Sequence, residues 1–205
     1  MVGKEILFEY SVLILAAGRS VRMQEPKFLL MLPSGRTFLE DIVLSYRNMG
    51  LKKIIVVLNS EGVVQFNKKI PHLSSLINLV ENCNPDYGRF YSIQRGLSKC
   101  SNSSVLIHNI DNPFISEHVV SRLINCKGSY DYVYPQHGHR GGHPLLIDSS
   151  LCRLILEEKN FNQNIRNYLE KFNYQGVQVD SPLIHTNINT KEDYTNLFEK
   201  LSINP

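Results

Sequence analysis

SVLILAAGRSVRMQEPK, residues 11–27, opens on the apolar run Val12-Leu13-Ile14-Leu15. The run is dense in β-branched residues and too short for anything but a buried strand. Ala16-Ala17-Gly18 follows, three small residues that let a ligand come close to bare backbone N–H groups. Beyond the turn stand three cations, Arg19, Arg22 and Lys27. Strand, small-residue turn and clustered positive charge together describe a cradle for phosphates. The spacing matches neither G-x-x-x-x-G-K-[ST] nor G-x-G-x-x-G, so the P-loop and dinucleotide readings fail.

The same strand-then-helix rhythm continues outward. Thr37-Phe38-Leu39-Glu40 is a capping-box pattern that starts a helix ending near Gly50. Residues 54–58 read as a second buried strand, 61–69 as a helix broken by Pro71, and 77–80 as a third strand. A helix follows over 89–99, then a fourth strand, Val105 to Ile110, ending at Asp111. The second half predicts a helix over 117–126, a strand over 131–134, a loop over 137–144 and a strand over 145–147. Helices near 150–158 and 161–172, an edge strand near 177–179 and a last helix capped by Thr190 complete the pattern. Its apolar stripe, Tyr194, Leu197, Phe198 and Leu201, is expected to pack on the sheet. Residues 1–10 read as a lead-in to the first strand. The fold class is α/β: one domain over 1–205, three layers, with a mostly parallel sheet. Ligands in such folds bind beyond the carboxyl ends of the strands, where both Gly18 and Asp111 stand.

At 205 residues the chain can bury about 70% of its unfolded surface and needs no disulfide or metal staple. A net charge of +3 is too small to argue for a nucleic-acid partner; the local cluster of cations matters more. Cys83, Cys100, Cys126 and Cys152 have no CxxC spacing and no signal peptide precedes them, so four reduced thiols in a cytoplasmic protein are expected. The apolar runs fall short of the roughly 18 residues that a membrane span requires.

Leu15, Ala16, Ala17, Gly18, Ser20, Arg22, Met23 and Lys27 stand in register with the signature L-A-[AG]-G-x-S-x-R-M-x-x-x-K. This resembles the nucleotidyltransferases of GT-A-like fold, nearest the MobA/MocA-like branch that serves the molybdenum cofactor. Gln24 departs from it, replacing a glycine. In Asn109-Ile110-Asp111-Asn112-Pro113, Asp111 stands where that family has a metal-binding carboxylate, and a carboxylate at a strand end suits Mg²⁺. The bland reading of Asp111 is an Asx turn before Pro113. Asn187-Ile188-Asn189-Thr190-Lys191-Glu192-Asp193-Tyr194 resembles the family's N-I-N-T-P-E-D-L segment, with Lys191 in place of proline. The resemblance implies that Asn187 or Asn189 is a second metal ligand. Asn84 to Leu97 resembles the block N-P-x-x-x-G-M-x-x-S-x-x-x-G, with Arg89-Phe90 displacing the methionine. It implies nucleoside contacts from Asn84, Gly88 and Ser92. Arg140-Gly141-Gly142-His143-Pro144 resembles the segment with which the cytidylyltransferase branch meets its acceptor, implicating Arg140, Gly142 and His143.

The resemblance implies Mg²⁺-dependent transfer of a nucleoside monophosphate from an NTP to a phosphorylated acceptor, with release of pyrophosphate. Backbone from Leu15 to Gly18 would receive the base, with Ser20 in the same loop. Lys27 would meet the α-phosphate and Arg22 the β- and γ-phosphates. Ala17 favours CTP over GTP, because its methyl narrows the space beside the base. Candidate acceptors are molybdopterin, a sugar phosphate, methylerythritol phosphate or another alcohol phosphate. From a different class, Gln24, Asn187 and Asn189 fit a nucleotide-binding regulator with a degraded site.

Overall fold

The computed structural model describes residues 9–100 and 103–203, and in the last helix the side chains as far as Leu197. Strand β1, Tyr10–Leu15, lies between β2, Lys53–Asn59, and β4, Ser104–Asn109, pairing in parallel with both. Strand β3, Asn78–Asn82, pairs in parallel outside β2. Helix α1, Phe38–Asn48, links β1 to β2, and α2, Ser60–Lys69, links β2 to β3. Helix α3, Gly88–Leu97, then carries the chain back to the other side of β1. That reversal opens a crevice at the carboxyl ends of β1 and β4, the usual ligand position in sheets of this kind.

Strands β5, Tyr132–His137, and β7, Leu145–Ile147, add antiparallel pairs beyond β4, so the sheet is mixed, though mostly parallel. The expected loop 137–144 contains a two-residue strand, β6, Arg140–Gly141, which folds back on the end of β5. Gly138, with φ of +61°, makes that tight return possible. Strand β8, Tyr174–Gln178, pairs in parallel with β5.

The pleat of β1 divides the core. Val12, Ile14 and Ala16 face one layer, with α1, α2 and α4 (Glu117–Cys126) packed over them. Leu13, Leu15 and Ala17 face the other, covered by α3, by α5 (Ser149–Glu157) and by α6 (Ile165–Leu169). Three layers follow directly from that alternation. The capping box of α1 is complete: Thr37 Oγ1 accepts from Glu40 N at 3.2 Å, and Glu40 Oε2 accepts from Thr37 N at 2.7 Å. Helix α7, Lys191–Ile203, returns to the sheet through Leu197 and through Tyr194, whose ring lies 6.1 Å from that of Phe38. Phe198 and Leu201 have side chains outside the described set, as do residues 1–8.

One helix is shorter than its apolar spacing predicts. Helix α6 has five residues, not the twelve of 161–172. Asn164 caps it by accepting from Arg166 N at 2.8 Å, so the helix starts there. Phe161 leaves the stripe to pack on Tyr87 and Tyr91, with ring centroids 4.7 and 5.5 Å away. All four cysteines are unpaired, and no helix among the described residues is long and apolar enough to cross a membrane.

Helix α3 lies close to the sheet because position 96 has no side chain. A Cβ there would meet Leu13 Cδ1 at 2.2 Å and Val57 Cγ2 at 3.0 Å. Both neighbours are fully buried, so the contact has little room to relax. Gly96→Val is therefore expected to destabilise the fold by about 2 kcal/mol or more. The check is the midpoint and slope of urea unfolding; an unchanged midpoint contradicts this account of the α3 packing.

Candidate active site

The turn after β1 is held from both sides. Ala16 N donates to Val57 O at 2.9 Å, and Asn59 Nδ2 donates to Ala17 O at 3.1 Å. Asn59 is also the N-cap of α2, accepting from Gly62 N at 2.7 Å, so one amide braces two elements. A Cβ on Gly18 would meet no protein atom within 4 Å. Ser20, at φ +51°, accepts from Lys27 N at 3.4 Å and so bends the loop that returns Lys27 to the cleft. Gln24 adopts φ +59°, the left-handed region for which the resemblance supplies a glycine. Its Oε1 accepts from Lys191 Nζ at 2.7 Å. Two of the departures from the motifs thus meet each other.

A cleft of about 400 Å³ opens between this turn and the carboxyl end of β4. It brings together Leu15, Ala17, Gly18, Ser20, Arg22 and Lys27 from the first motif. Gly88 and Ser92 line it from α3, and Asp111 and Asn189 close the far wall. Lys27 Nζ donates to Asn189 Oδ1 at 2.7 Å, joining residues 162 positions apart. Burial pushes the Lys27 ammonium below its usual range; Asp111 and Asp193 oppose this, while Arg22 and Arg89 add to it. Ser92 is buried, accepting from Asn82 Nδ2 at 3.0 Å and donating to Gly88 O at 3.3 Å, which fixes the first turn of α3.

Asp111 carries a feature that an Asx turn does not explain. Its Oδ1 is buried and has no hydrogen-bond partner, whereas buried polar atoms are ordinarily satisfied. An unpartnered carboxylate oxygen in a cleft lined with cations fits a hard divalent ion whose other ligands come from phosphate oxygens. No cluster of three His, Cys, Asp or Glu side chains among the described residues provides a complete metal cage. The Asp111 carbonyl accepts from Ile188 N at 2.8 Å, tying the strand end to the segment that bears Asn189.

Behind Asp111 lies a buried polar network. His108 Nε2 donates to Asn112 O at 2.6 Å, and Tyr46 Oη donates to His108 Nδ1 at 3.1 Å. Asn112 Nδ2 donates to Leu183 O and Ile184 O at 3.1 and 3.2 Å, and Asn112 Oδ1 accepts from Phe114 N at 3.1 Å. Asp111 and the residue after it are therefore fixed to the 183–188 segment, while Ile110 N donates to Leu15 O. Burial pushes His108 down to about 4, and it stays neutral between its two partners.

Several residues singled out from sequence lie elsewhere. Ala16 points into the α1 side of the core. Asn84 is exposed, and its neighbours Pro85 and Gly88 line the cleft in its place. Asn187 is exposed, with its amide nitrogen on His185 O at 3.1 Å. Arg140 is exposed on β6. Gly142 packs against the 182–185 turn, where a Cβ would meet Ile184 O at 2.5 Å. His143 Nε2 accepts from Asn109 Nδ2 at 2.7 Å, and burial, then Arg89 and Arg166, bring its ring down to about 4. Asn109 itself lines the cleft, so His143 stands one side chain behind the wall. Arg89 also lines the cleft and was noticed in the sequence only as a departure. Asn59 and Asn109 were missed, although a polar residue closing an apolar strand was the available signal.

A family model described as a MobA-like NTP transferase domain matches residues 12–177. No curated protein matches the chain. Among solved structures, the homolog of Mycobacterium tuberculosis rv0371c from Mycobacterium sp. strain JC1 superposes with a TM-score of 0.79 at 21% identity, over 95% of this chain and 98% of that one. A nucleotidyl transferase from Methanothermobacter thermautotroptrophicus gives 0.76 at 26%, over 95% and 99%. Molybdopterin-guanine dinucleotide biosynthesis protein A from Archaeoglobus fulgidus gives 0.69 at 22%, over 94% and 99%.

The buried imidazole makes stability depend on pH with a definite sign. An unfolded histidine takes up a proton below about 6.5, whereas folded His108 does so only near 4. Its contribution is complete above pH 6.5 and is lost as pH falls towards 4, on the order of 3 kcal/mol in all. Urea unfolding at stepped pH should show this decline, with His143 adding to it. In His108→Gln the slope between pH 6.5 and 4 should be shallower; an unchanged slope contradicts the neutral, buried assignment.

Proposed function

The chain belongs to the family of MobA-like NTP transferase domains, and we propose that it moves a nucleoside monophosphate, from CTP in preference to GTP, onto a small acceptor carrying a phosphate monoester. The observation that carries this reading is the unpartnered Asp111 Oδ1, set opposite Lys27 and Arg22 in one cleft. An oxygen of the acceptor phosphate attacks the α-phosphorus. The bond from that phosphorus to its bridging oxygen breaks, and pyrophosphate leaves with the electron pair. The attacking oxygen is already ionised, so no general base is needed and catalysis is positioning plus electrostatic stabilisation. Lys27 meets the charge growing on the α-phosphoryl oxygens, and Arg22 holds the β- and γ-phosphates. Backbone from Leu15 to Gly18 receives the base, with Ser20 shaping the loop. Asp111, with Asn189 alongside, would hold Mg²⁺, which when bound would supply charge neutralisation on the triphosphate.

The preference for CTP is supported by Ala17, which lines the cleft from the α3 side, while Ala16 is turned to the α1 side of the core. The acceptor approaches from the His143 side, beyond Asn109. The Archaeoglobus fulgidus neighbour's role in molybdopterin-guanine dinucleotide biosynthesis makes molybdopterin one acceptor to assay, beside sugar phosphates and alcohol phosphates. The reaction is placed in the cytoplasm by this reading.

Pyrophosphate release across the four NTPs, with candidate acceptors and Mg²⁺, tests the reaction; binding of nucleotide with no release in any combination would favour a regulator. Asp111→Ala should abolish metal-dependent turnover while leaving the unfolding midpoint near that of the wild type. Lys27→Ala should lower kcat by roughly a hundredfold, more than it raises the nucleotide KM. A rise in KM alone makes Lys27 a binding residue only.

The base assignment has its own measurement. Calorimetric titration with Mg²⁺ should give tighter binding of CTP than of GTP, and Ala17→Gly should narrow the gap. GTP binding tenfold more tightly than CTP, about 1.4 kcal/mol, reverses it.

A further inference from the structure

Asn109 closes β4 and is the polar end of that strand's α3-facing row. Val105 and Ile107 precede it there, in the core layer of Leu13 and Leu15, and Asn109 stands opposite Leu15 in the β1–β4 ladder. It is only 5% exposed, and it lines the cleft. A buried amide needs partners for both of its ends. The sheet supplies one. In the antiparallel pairing of β4 with β7, Ile107 is opposite Leu145, and the same register carried two residues further brings Asn109 to His143. Asn109 Nδ2 lies 2.7 Å from His143 Nε2 and 3.4 Å from Nδ1. The ring stays neutral, mainly through burial, so it receives an N–H donor without repulsion. The other end of the amide, Oδ1, has no hydrogen-bond partner among the described residues. With its nitrogen committed to His143, Asn109 has an acceptor left for whatever fills the cleft.

We propose that Asn109 is a specificity residue of the nucleotide cleft, held by His143 so that its Oδ1 accepts a hydrogen bond from a ribose hydroxyl. The inference rests on the transferase reading above for the identity of its ligand. A lone amide oxygen calls for a donor, which excludes the phosphates, whose oxygens only accept. In a nucleoside triphosphate the donors are the ribose hydroxyls and the amino or imino groups of the base. Position selects between them. Leu15, opposite Asn109, begins the backbone stretch that receives the base, and Asp111, two residues on, serves the ion of the phosphates. The sugar spans the interval between base and phosphate, and Asn109 stands at that interval. Covering Oδ1 with a sugar that lacks the hydroxyl strips its water and returns no bond, so the site selects against deoxyribose. An amide free to rotate offers N–H or C=O alike and selects less. His143 removes that freedom and is the positioning residue; Asn109 makes the contact.

The experiment compares wild type, Asn109→Ala, His143→Leu and His143→Gln, with urea midpoints to confirm that each is folded. CTP and GTP, each beside its 2′-deoxy and 3′-deoxy counterparts, are titrated calorimetrically with Mg²⁺ and no acceptor. In the wild type, the tighter-binding nucleotide should lose tenfold or more in affinity when one of the two hydroxyls is removed. In Asn109→Ala the ribonucleotide should fall to the level of that deoxy form, which itself holds within twofold. His143→Leu should narrow the ratio of ribo to deoxy affinity. His143→Gln, which still offers an acceptor to Asn109 Nδ2, should keep that ratio within threefold of wild type. Equal affinity of the ribonucleotide and both deoxy forms in the wild type overturns the proposal. So does an equal weakening of all forms in Asn109→Ala, the mark of a structural role alone. A wild-type ratio in His143→Leu overturns the part given to His143. The titrations need no turnover, so absence of pyrophosphate release counts against the transferase reading alone, while the assignment of Asn109 stands or falls on the affinity ratios.

Discussion

The parallel pairing of β1 with β4 is the contact on which the site depends. Leu15 stands opposite Asn109 in the ladder, and Ile110 N donates to Leu15 O at 3.1 Å. That register sets the first residues beyond each strand side by side: Ala16 to Gly18 from one, Asp111 from the other. A slip of one residue would turn every side chain of β1 to the opposite layer, exchanging the Val12, Ile14 and Ala16 set with the Leu13, Leu15 and Ala17 set. The two core layers therefore hold the register, and the register holds the turn after β1 against the carboxylate of Asp111. The geometry of the candidate site is thus a consequence of the hydrophobic packing beneath it.

The far wall of the cleft is built differently, by polar bonds to irregular backbone. The 182–189 segment has no strand to align it. It is fixed by the Asn112 side chain on the carbonyls of Leu183 and Ile184, and by Ile188 N on the Asp111 carbonyl. Asn112 is fully buried, so removing its amide would leave those carbonyls unsatisfied, at about 1–3 kcal/mol for a buried polar group. His108 and Tyr46 extend this support back to α1. Lys27 completes the wall from the opposite side through Asn189. Three distant parts of the chain thus share one polar seam, and the orphaned Asp111 Oδ1 stands at its centre.

The substitutions of Gln24 for glycine and Lys191 for proline become intelligible together. A non-glycine residue at positive φ carries a strain of roughly 1–2 kcal/mol. A charge-assisted hydrogen bond from Lys191 to Gln24 offsets part of it, less than a buried bond would because both groups are exposed. A proline at 191 would have had no side-chain donor. The bond joins the turn that carries Lys27 to the head of the helix that follows Asn189, and so couples the two sides of the cleft.

By itself the sequence determined the layered α/β fold, the capping box of α1, the small-residue turn after β1 and the place of Asp111 beyond the end of a strand. Each of these is written in local periodicity or in a motif of fixed spacing, and local rules are sufficient to read them. Only the tertiary structure decided which side chains share the cleft. Ala16 and Ala17 are adjacent in sequence, yet the pleat sends one to the α1 side of the core and the other to the α3 side, where it also lines the cleft. Asn187 and Asn189 are equivalent in the motif, but Asn189 alone meets Lys27, because Ile188 is pinned to Asp111 and sets the direction of its neighbours. Helix α6 could not be read because its apolar stripe is shared: Phe161 is taken by Tyr87 and Tyr91, a contact between segments seventy or more residues apart. Packing between distant elements is the part of the fold that no local pattern encodes.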